Sequence, residues 1–382
     1  MLRCSGIHVG SYQSIDKDNV METEVFAPDY EKLQNFLRGR ARTDELIFFE
    51  WHIDRGVAAA SAGKFFEKPL RSEFDSEAEY DFECNVRLCR LLRLHVLPYC
   101  ICHKLLYMIP AADSDKPVGD FGAGEIAWDD ICKGPFGVGK DFDMVDWQDG
   151  ICQASRRFLE IAQQHLPEGM KLSVGLPGVM EIASAILGNE AFYIGFYEDP
   201  EWMGEFLSRV GDATARCADE ITQYSVTALL VVADDMGTKN SLLVSPEILR
   251  KWVIPCHKRC AEFAHKRGIP VVLHSCGNVH DVTDDIIDVA KIDAKQSFDD
   301  NAWPVEQFKK EYGDRIVTIG GVDMTLLSDT DGTQRVCQRT REIMQACWGD
   351  GRYAMGSGHC LATYTPVENF LAMQEVAMQM KG

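Results

Sequence analysis

Eight short apolar segments, each followed by a longer stretch with helical spacing, constrain this chain more than any other feature. They are Leu46–Ile53, His95–Cys102, Lys171–Leu176, Ala228–Ala233, Pro270–His274, Lys291–Ser297, Arg315–Gly320 and Tyr353–Met355. Several are continuously apolar rather than alternating, the pattern of parallel strands covered on both faces. Eight strand–helix alternations favour an α/β fold closed as a (β/α)8 TIM barrel over an open doubly wound sheet. A chain of 382 residues exceeds the usual length of one domain, but barrels of this class run long as single units. The reading is one barrel over residues 44–382 preceded by an extension, residues 1–43, with a short helix around Asp29–Arg40. The Gly- and Asp-rich stretch between Met108 and Gln148 reads as loop.

Helix boundaries are legible where capping chemistry is explicit. Ser245-Pro246-Glu247 supplies an N-cap, a first-turn proline and an acid facing the helix dipole, and Gly268 stops that helix. Asp199-Pro200 opens another, and Thr365-Pro366-Val367-Glu368 has capping-box spacing.

The charge balance, 39 − 59 = −20, repels phosphate backbones and anionic lipid, so nucleic acid and membrane surfaces are poor partners. Fourteen cysteines are spread along the chain without a dense framework, and the first residues lack the basic-then-apolar order of a signal peptide. The longest clean apolar stretch, Val226–Ala233, is far shorter than the ~20 residues of a membrane helix. Reduced thiols and a cytoplasmic location are expected.

Chemistry in such a barrel belongs at the carboxyl ends of the strands. There the sequence places Glu50 and His52, then Asp234 and Asp235, then His274, Ser275 and Cys276, then Asp323 after Gly320-Gly321, then His359 and Cys360. The sharpest local motif is His274-Ser275-Cys276-Gly277-Asn278. Residues two apart in extended backbone share a side, and an imidazole and a thiolate at that spacing reach one ion. Cys360 is the expected third ligand, with His359 competing for the same place. One imidazole and two thiolates leave zinc an open fourth position, as in catalytic sites. Glu50, His52 and Asp235 are expected to orient substrate or handle protons. Asp234, Asn278, Asp323 and His359 are expected to contact substrate. Cys100 and Cys102 alternate in an apolar strand and read as core, while the Met and Trp residues near Trp202-Met203 and Met373–Met380 sit at helical spacings and read as core or surface. No P-loop, GxGxxG, GxSxG or nucleic-acid motif is present.

At these residues the chain resembles the uroporphyrinogen decarboxylase superfamily over roughly Asp44 to Met380. The resemblance is carried by Glu50-Trp51-His52-Ile53-Asp54, the block from Gly178-Val179-Met180-Glu181 to Tyr197-Glu198-Asp199-Pro200, and Asp234-Asp235-Met236-Gly237. It continues through Ser245-Pro246-Glu247, His274-Ser275-Cys276-Gly277-Asn278, Gly320-Gly321-Val322-Asp323 and Thr365-Pro366-Val367-Glu368-Asn369. It implies a TIM barrel independently of the strand pattern.

True decarboxylases of the superfamily carry an Arg-Gln-Ala-Gly-Arg signature for porphyrinogen carboxylates and need no metal. This chain lacks that signature, and Asp54-Arg55-Gly56 is a poor substitute. The cobamide-dependent methyltransferases carry His-x-Cys followed much later by Cys, which His274, Cys276 and Cys360 match. The resemblance therefore implies Zn2+ on those three residues. It also implies methyl transfer to or from the cobalt of a corrinoid (cobalamin) supplied by a separate corrinoid-binding protein. The small-molecule donor or acceptor would be a thiol such as coenzyme M, a tetrahydrofolate, or a methyl ether undergoing O-demethylation. A decarboxylase-like lyase and a non-catalytic binding protein with a structural metal are the competing readings.

Overall fold

A computed structural model describes residues 26–39, 45–54, 56–74, 76–101 and 150–381. Its eight strands are β1 (Ile47–Phe48), β2 (Val96–Cys100), β3 (Lys171–Pro177), β4 (Thr227–Ala233), β5 (Val271–His274), β6 (Ala294–Gln296), β7 (Val317–Ile319) and β8 (Tyr353–Met355). Each falls on one of the eight expected segments, trimmed or extended by a few residues. All neighbours pair parallel in the order β1-β8-β7-β6-β5-β4-β3-β2. One further parallel bridge, Phe48 to Leu94, joins β1 to the approach to β2 and completes the ring. The fold is a TIM barrel.

Strand alternation sorts side chains into two compartments. Ile47, Phe49, Leu229, Val231, Val272, Ala294, Val317, Ile319 and Ala354 fill the lumen, while Leu230, Val232, Val271 and Leu273 pack outward under the helices. The lumen is closed at its amino-terminal end by the helix Tyr30–Leu37. Asp29 caps that helix through the Lys32 N–H at 2.9 Å, and Leu33, Phe36 and Leu37 insert into the lumen cluster. Each of these three fully buried side chains contributes about 1.5–3 kcal/mol.

The helix boundaries follow their caps with two departures. Asp199 caps the helix Pro200–Gln223 through the Trp202 N–H, and Ser245 caps the segment beginning at Pro246. The latter segment contains a π-type stretch, Leu249–Val253, just before Pro255. Proline has no N–H to donate to the preceding turn and its ring crowds that carbonyl, which the wider π turn accommodates. The expected capping box at Thr365 does not form: its hydroxyl is buried without a partner, and Glu368 pairs instead with Lys64. Trp202 stacks on Phe206 and Met373 is core. The expected Met108–Gln148 loop, Arg55, Cys102 and His103 lie outside the described residues. The eleven described cysteines are all free, and no described helix is long and apolar enough to cross a membrane.

Candidate metal centre

The site forms at the carboxyl end of the barrel because lumen parity continues past the strand ends. Val272 faces the lumen, so His274 does too, and the chain leaving β5 carries Cys276 to the same side. Cys276 Sγ lies 3.6 Å from His274 Nε2. A tetrahedral zinc with bonds of about 2.05 Å to nitrogen and 2.3 Å to sulfur sets those two atoms about 3.6 Å apart. His359 completes the group, and the three donor atoms lie within 4.8 Å of one another.

Gln296 fixes which nitrogen of His274 is offered. His274 and Gln296 are register partners on β5 and β6, and both face the lumen. The Gln296 amide donates to the carbonyls of His359 (2.8 Å) and Ser357 (3.3 Å), so its carbonyl oxygen is the atom left to meet His274 Nδ1. Nδ1 must then carry the proton, and Nε2 presents its lone pair beside Cys276. This is the outer-shell support expected of a metal-binding imidazole. Burial, with the neighbouring His359, pushes His274 down to about 3, and burial also lowers His359. Both rings are therefore neutral ligands across the physiological range.

The thiol is set up differently. Burial and the nearby Asp235 carboxylate hold Cys276 well above its ordinary range, so it needs a cation to ionise. The Ser297 hydroxyl donates to its sulfur at 3.3 Å. Ser297 adopts φ 84°, a conformation costing about 1–3 kcal/mol in a non-glycine residue. Lys295, on the outward face of β6, is fully buried and donates to the carbonyls of Ser275 (3.3 Å) and Ser297 (2.7 Å). Burial brings its ammonium down to about 8. It ties together the two loops that hold the thiol.

The other expected residues separate into rim, support and scaffold. Asp235 is at the rim: its Oδ1 accepts the Cys276 N–H at 2.7 Å and lies 4.0 Å from His274 Nε2. Cys360 Sγ sits 3.1 Å from His359 Nδ1, buried beside the ligand group rather than in it. Glu50 and His52 do not enter the lumen together, because Phe49 and Trp51 take the inward parity of that strand. Glu50 is buried and accepts both the Ser357 N–H and hydroxyl at 2.6 Å, which anchors the loop carrying His359. Burial outweighs those hydrogen bonds and raises Glu50 to about 8. His52 Nε2 pairs with Asp54 at 3.2 Å, and Asp54 also accepts the Thr363 N–H.

Asp234, expected at substrate, is wholly buried. It accepts the N–H groups of Val179, Met180 and Glu181 at 2.8–3.1 Å and pairs with buried His257 at 2.7 Å. It caps the helix Val179–Leu187 and leaves no oxygen for a ligand. Asp323 caps the turn at Met324 through Thr325 and also holds the Asp300 N–H. Asn278 accepts the His280 N–H within its own loop.

Three participants were not singled out from the sequence. Gln296 and Ser297 follow from strand register. Trp51 stacks on His274 with ring centroids 4.2 Å apart and lies edge-on to His359. A parity count along Ile47–Trp51 would have found it.

Residues 140–380 match the family model described as uroporphyrinogen decarboxylase (URO-D). The chain belongs to the URO-D family. Among curated proteins it is similar to a methylated-thiol–coenzyme M methyltransferase of Methanosarcina mazei, 26% identical over 191 residues. That match covers 50% of this chain and 48% of the relative, so the chain spans about half the length of the curated relative it matches. A solved structure titled methyltransferase from Methanosarcina mazei superposes with a TM-score of 0.64 over 93% of this chain and 100% of that one. At 18% identity the superposition establishes the shared barrel.

Proposed function

We propose that this URO-D family member is a zinc-dependent methyltransferase. It would move a methyl group between a small molecule and the cobalt of a corrinoid held by a separate carrier protein. The observation that carries the reading is the His274–Cys276–His359 donor set at the barrel mouth, with its proton positions fixed by Gln296. Similarity to a methylated-thiol methyltransferase supports the reaction class.

Zinc bound there would supply Lewis acidity toward a sulfur or oxygen of the substrate. The chain's own residues do the rest. Gln296 orients one imidazole, and Glu50 and Ser357 anchor the loop bearing the other. Ser297 stabilises the thiolate, and Trp51 walls the site on the His274 side. Three protein donors would leave zinc a fourth position for substrate, which would distinguish a reactive centre from a closed structural one.

His359 and Cys360 contend for the third place. The geometry favours His359, while the family resemblance names Cys360. Elemental analysis of anaerobically purified protein decides both points. Wild type should hold about one zinc per chain and Cys276→Ala almost none. Of His359→Ala and Cys360→Ala, the one that loses zinc names the third ligand. Methyl transfer to cob(I)alamin from methyl ethers and thioethers, or from methylcobalamin to thiols and folates, then tests the reaction. A reduced wild type that takes up no zinc when it is supplied overturns the proposal.

A further inference from the structure

Polar groups around the barrel mouth are largely spent on one another. Both ends of the Gln296 amide are occupied, and the Ser297 hydroxyl goes to the Cys276 sulfur. Glu50 is enclosed by Ser357, and Asp235 Oδ1 holds the Cys276 N–H. His52 Nε2 pairs with Asp54 at 3.2 Å, and since a carboxylate only accepts, Nε2 holds the proton of the neutral ring. Its bare Nδ1 is then an acceptor. Trp51 is different. Its indole N–H can only donate, it is buried, and it meets no acceptor.

The chain fixes that indole at the metal centre. Trp51 follows Phe49 on the lumen parity, and the backbone beyond it is tied to Leu361 on both sides. The Leu361 N–H donates to the His52 carbonyl at 3.1 Å, and the Asp54 N–H donates to the Leu361 carbonyl at 2.9 Å. The Trp51 ring lies on His274 at a centroid separation of 4.2 Å and an interplanar angle of 30°. It is tilted against His52 at 5.2 Å and edge-on to His359 at 6.5 Å. The indole therefore borders both imidazoles of the donor set.

A buried donor left bare is costly, and native interiors rarely keep one without a use. A phenylalanine would wall the site without that cost. Trp303, the other described indole with a bare N–H, is edge-on to His280, Phe308 and Tyr312 at 5.1–6.0 Å, where an aromatic face can accept it. The edge-on ring beside Trp51, that of His359, stands farther off. For Trp51 the acceptor has to come from a ligand.

We propose that the Trp51 indole N–H is the donor that seats the substrate. The molecule whose sulfur or oxygen meets the metal carries a second oxygen, a short chain away, that accepts this hydrogen bond. The inference deepens the methyl-transfer reading and rests on it. A hydrocarbon thiol satisfies the metal and leaves the indole bare, whereas an oxygen-bearing one satisfies both, and Trp51 discriminates by that difference.

The test uses zinc-loaded wild type and Trp51→Phe, which keeps an aromatic wall and removes the N–H. The probes are two matched pairs of thiols, each differing by one oxygen in place of a methylene: 2-methoxyethanethiol with 1-butanethiol, and 3-methoxypropanethiol with 1-pentanethiol. With methylcobalamin as methyl donor, the preference for oxygen over methylene in kcat/KM should fall about 5–100-fold from wild type to Trp51→Phe in at least one pair. The hydrocarbon members report any loss of wall contact, which cancels in the ratio. Independently of turnover, the ultraviolet resonance Raman difference between wild type and Trp51→Phe isolates this indole among the chain's seven tryptophans. Its N–H marker band should move to the hydrogen-bonded position on addition of the favoured ether thiol and stay in place with its hydrocarbon partner. Trp51→Phe should keep its zinc. If it does not, the Raman arm still decides, because there the variant serves only as a spectral blank. An unchanged preference in a zinc-loaded Trp51→Phe overturns the inference, as does an indole band that every probe leaves in place. No methyl transfer to any of the four thiols or from their methyl thioethers, with the band still shifting, overturns the methyl-transfer reading for sulfur substrates while the Trp51 contact stands.

Discussion

Replacing Gln296 by Met removes the residue on which the proton placement at the metal centre depends, while keeping side-chain volume close. Gln296 is 1% exposed, so water does not take over its contacts. Three hydrogen bonds disappear: one to His274 Nδ1 and two to the carbonyls of Ser357 and His359. The Ser357 carbonyl keeps the Gly321 N–H at 3.4 Å, so two buried groups are left bare. At about 1–3 kcal/mol each, the apo protein should lose about 2–6 kcal/mol of stability. Zinc should bind about 10–100-fold more weakly, because His274 loses the partner that fixes its tautomer and ring angle. Gln296→Glu separates the two effects. It keeps an acceptor for His274 Nδ1 but turns an oxygen toward the His359 carbonyl, so it should lose stability while holding zinc within about tenfold of wild type. The assay is zinc competition against a chromophoric chelator at pH 7.5, with urea unfolding of the zinc-free proteins alongside. Gln296→Met binding zinc within twofold of wild type would refute the argument that register partnering on β5 and β6 sets up the ligand.

Two other outcomes follow from buried groups. Asp234→Ala should cost about 3–5 kcal/mol, since it strands three helix N–H groups and His257, yet leave zinc content at about one per chain. Urea unfolding and elemental analysis of the same preparation check it, and unchanged stability would make Asp234 a ligand-facing residue after all. His95 is pushed down to about 4 by burial and then by Lys32, and its Nδ1 accepts the Asp29 N–H at the base of the lumen plug. Because the unfolded chain protonates at higher pH than the folded one, this contribution is full above pH 6.5 and is lost as pH falls toward 4. The loss amounts to about 3 kcal/mol. Melting curves of wild type and His95→Gln between pH 4 and 7 should converge at the acid end, and parallel curves would contradict the assignment.

The eight strands were legible because parallel barrel strands are buried on both faces and therefore read as uninterrupted apolar runs. Strand-end chemistry was legible because several runs stop at or shortly before a polar residue, as Ala233 does before Asp234 and Leu273 before His274. His274 and Cys276 are close neighbours on one strand end, so their convergence is a local property. The sequence was less informative wherever contact depends on register between strands. His274 meets Gln296 across 22 residues of chain only because β5 and β6 pair in one particular alignment.

Parity across irregular ends also needed the structure. Glu50 and His52 stand two apart in the sequence, but Phe49 and Trp51 take the lumen and send Glu50 to Ser357. The paired acids Asp234 and Asp235 look equivalent on paper, yet successive residues leaving a strand face opposite ways. One caps a helix in the interior and the other reaches the mouth. His359 and Cys360 are adjacent in the sequence, and only the structure shows that the donor atom grouped with His274 and Cys276 is on His359, with the Cys360 sulfur behind it. The sequence by itself determined the barrel and the residues at its rim, since burial pattern and spacing are local and one-dimensional. Only the tertiary structure decided which rim residues face one another, because that depends on strand register and on the direction each side chain takes after its strand ends.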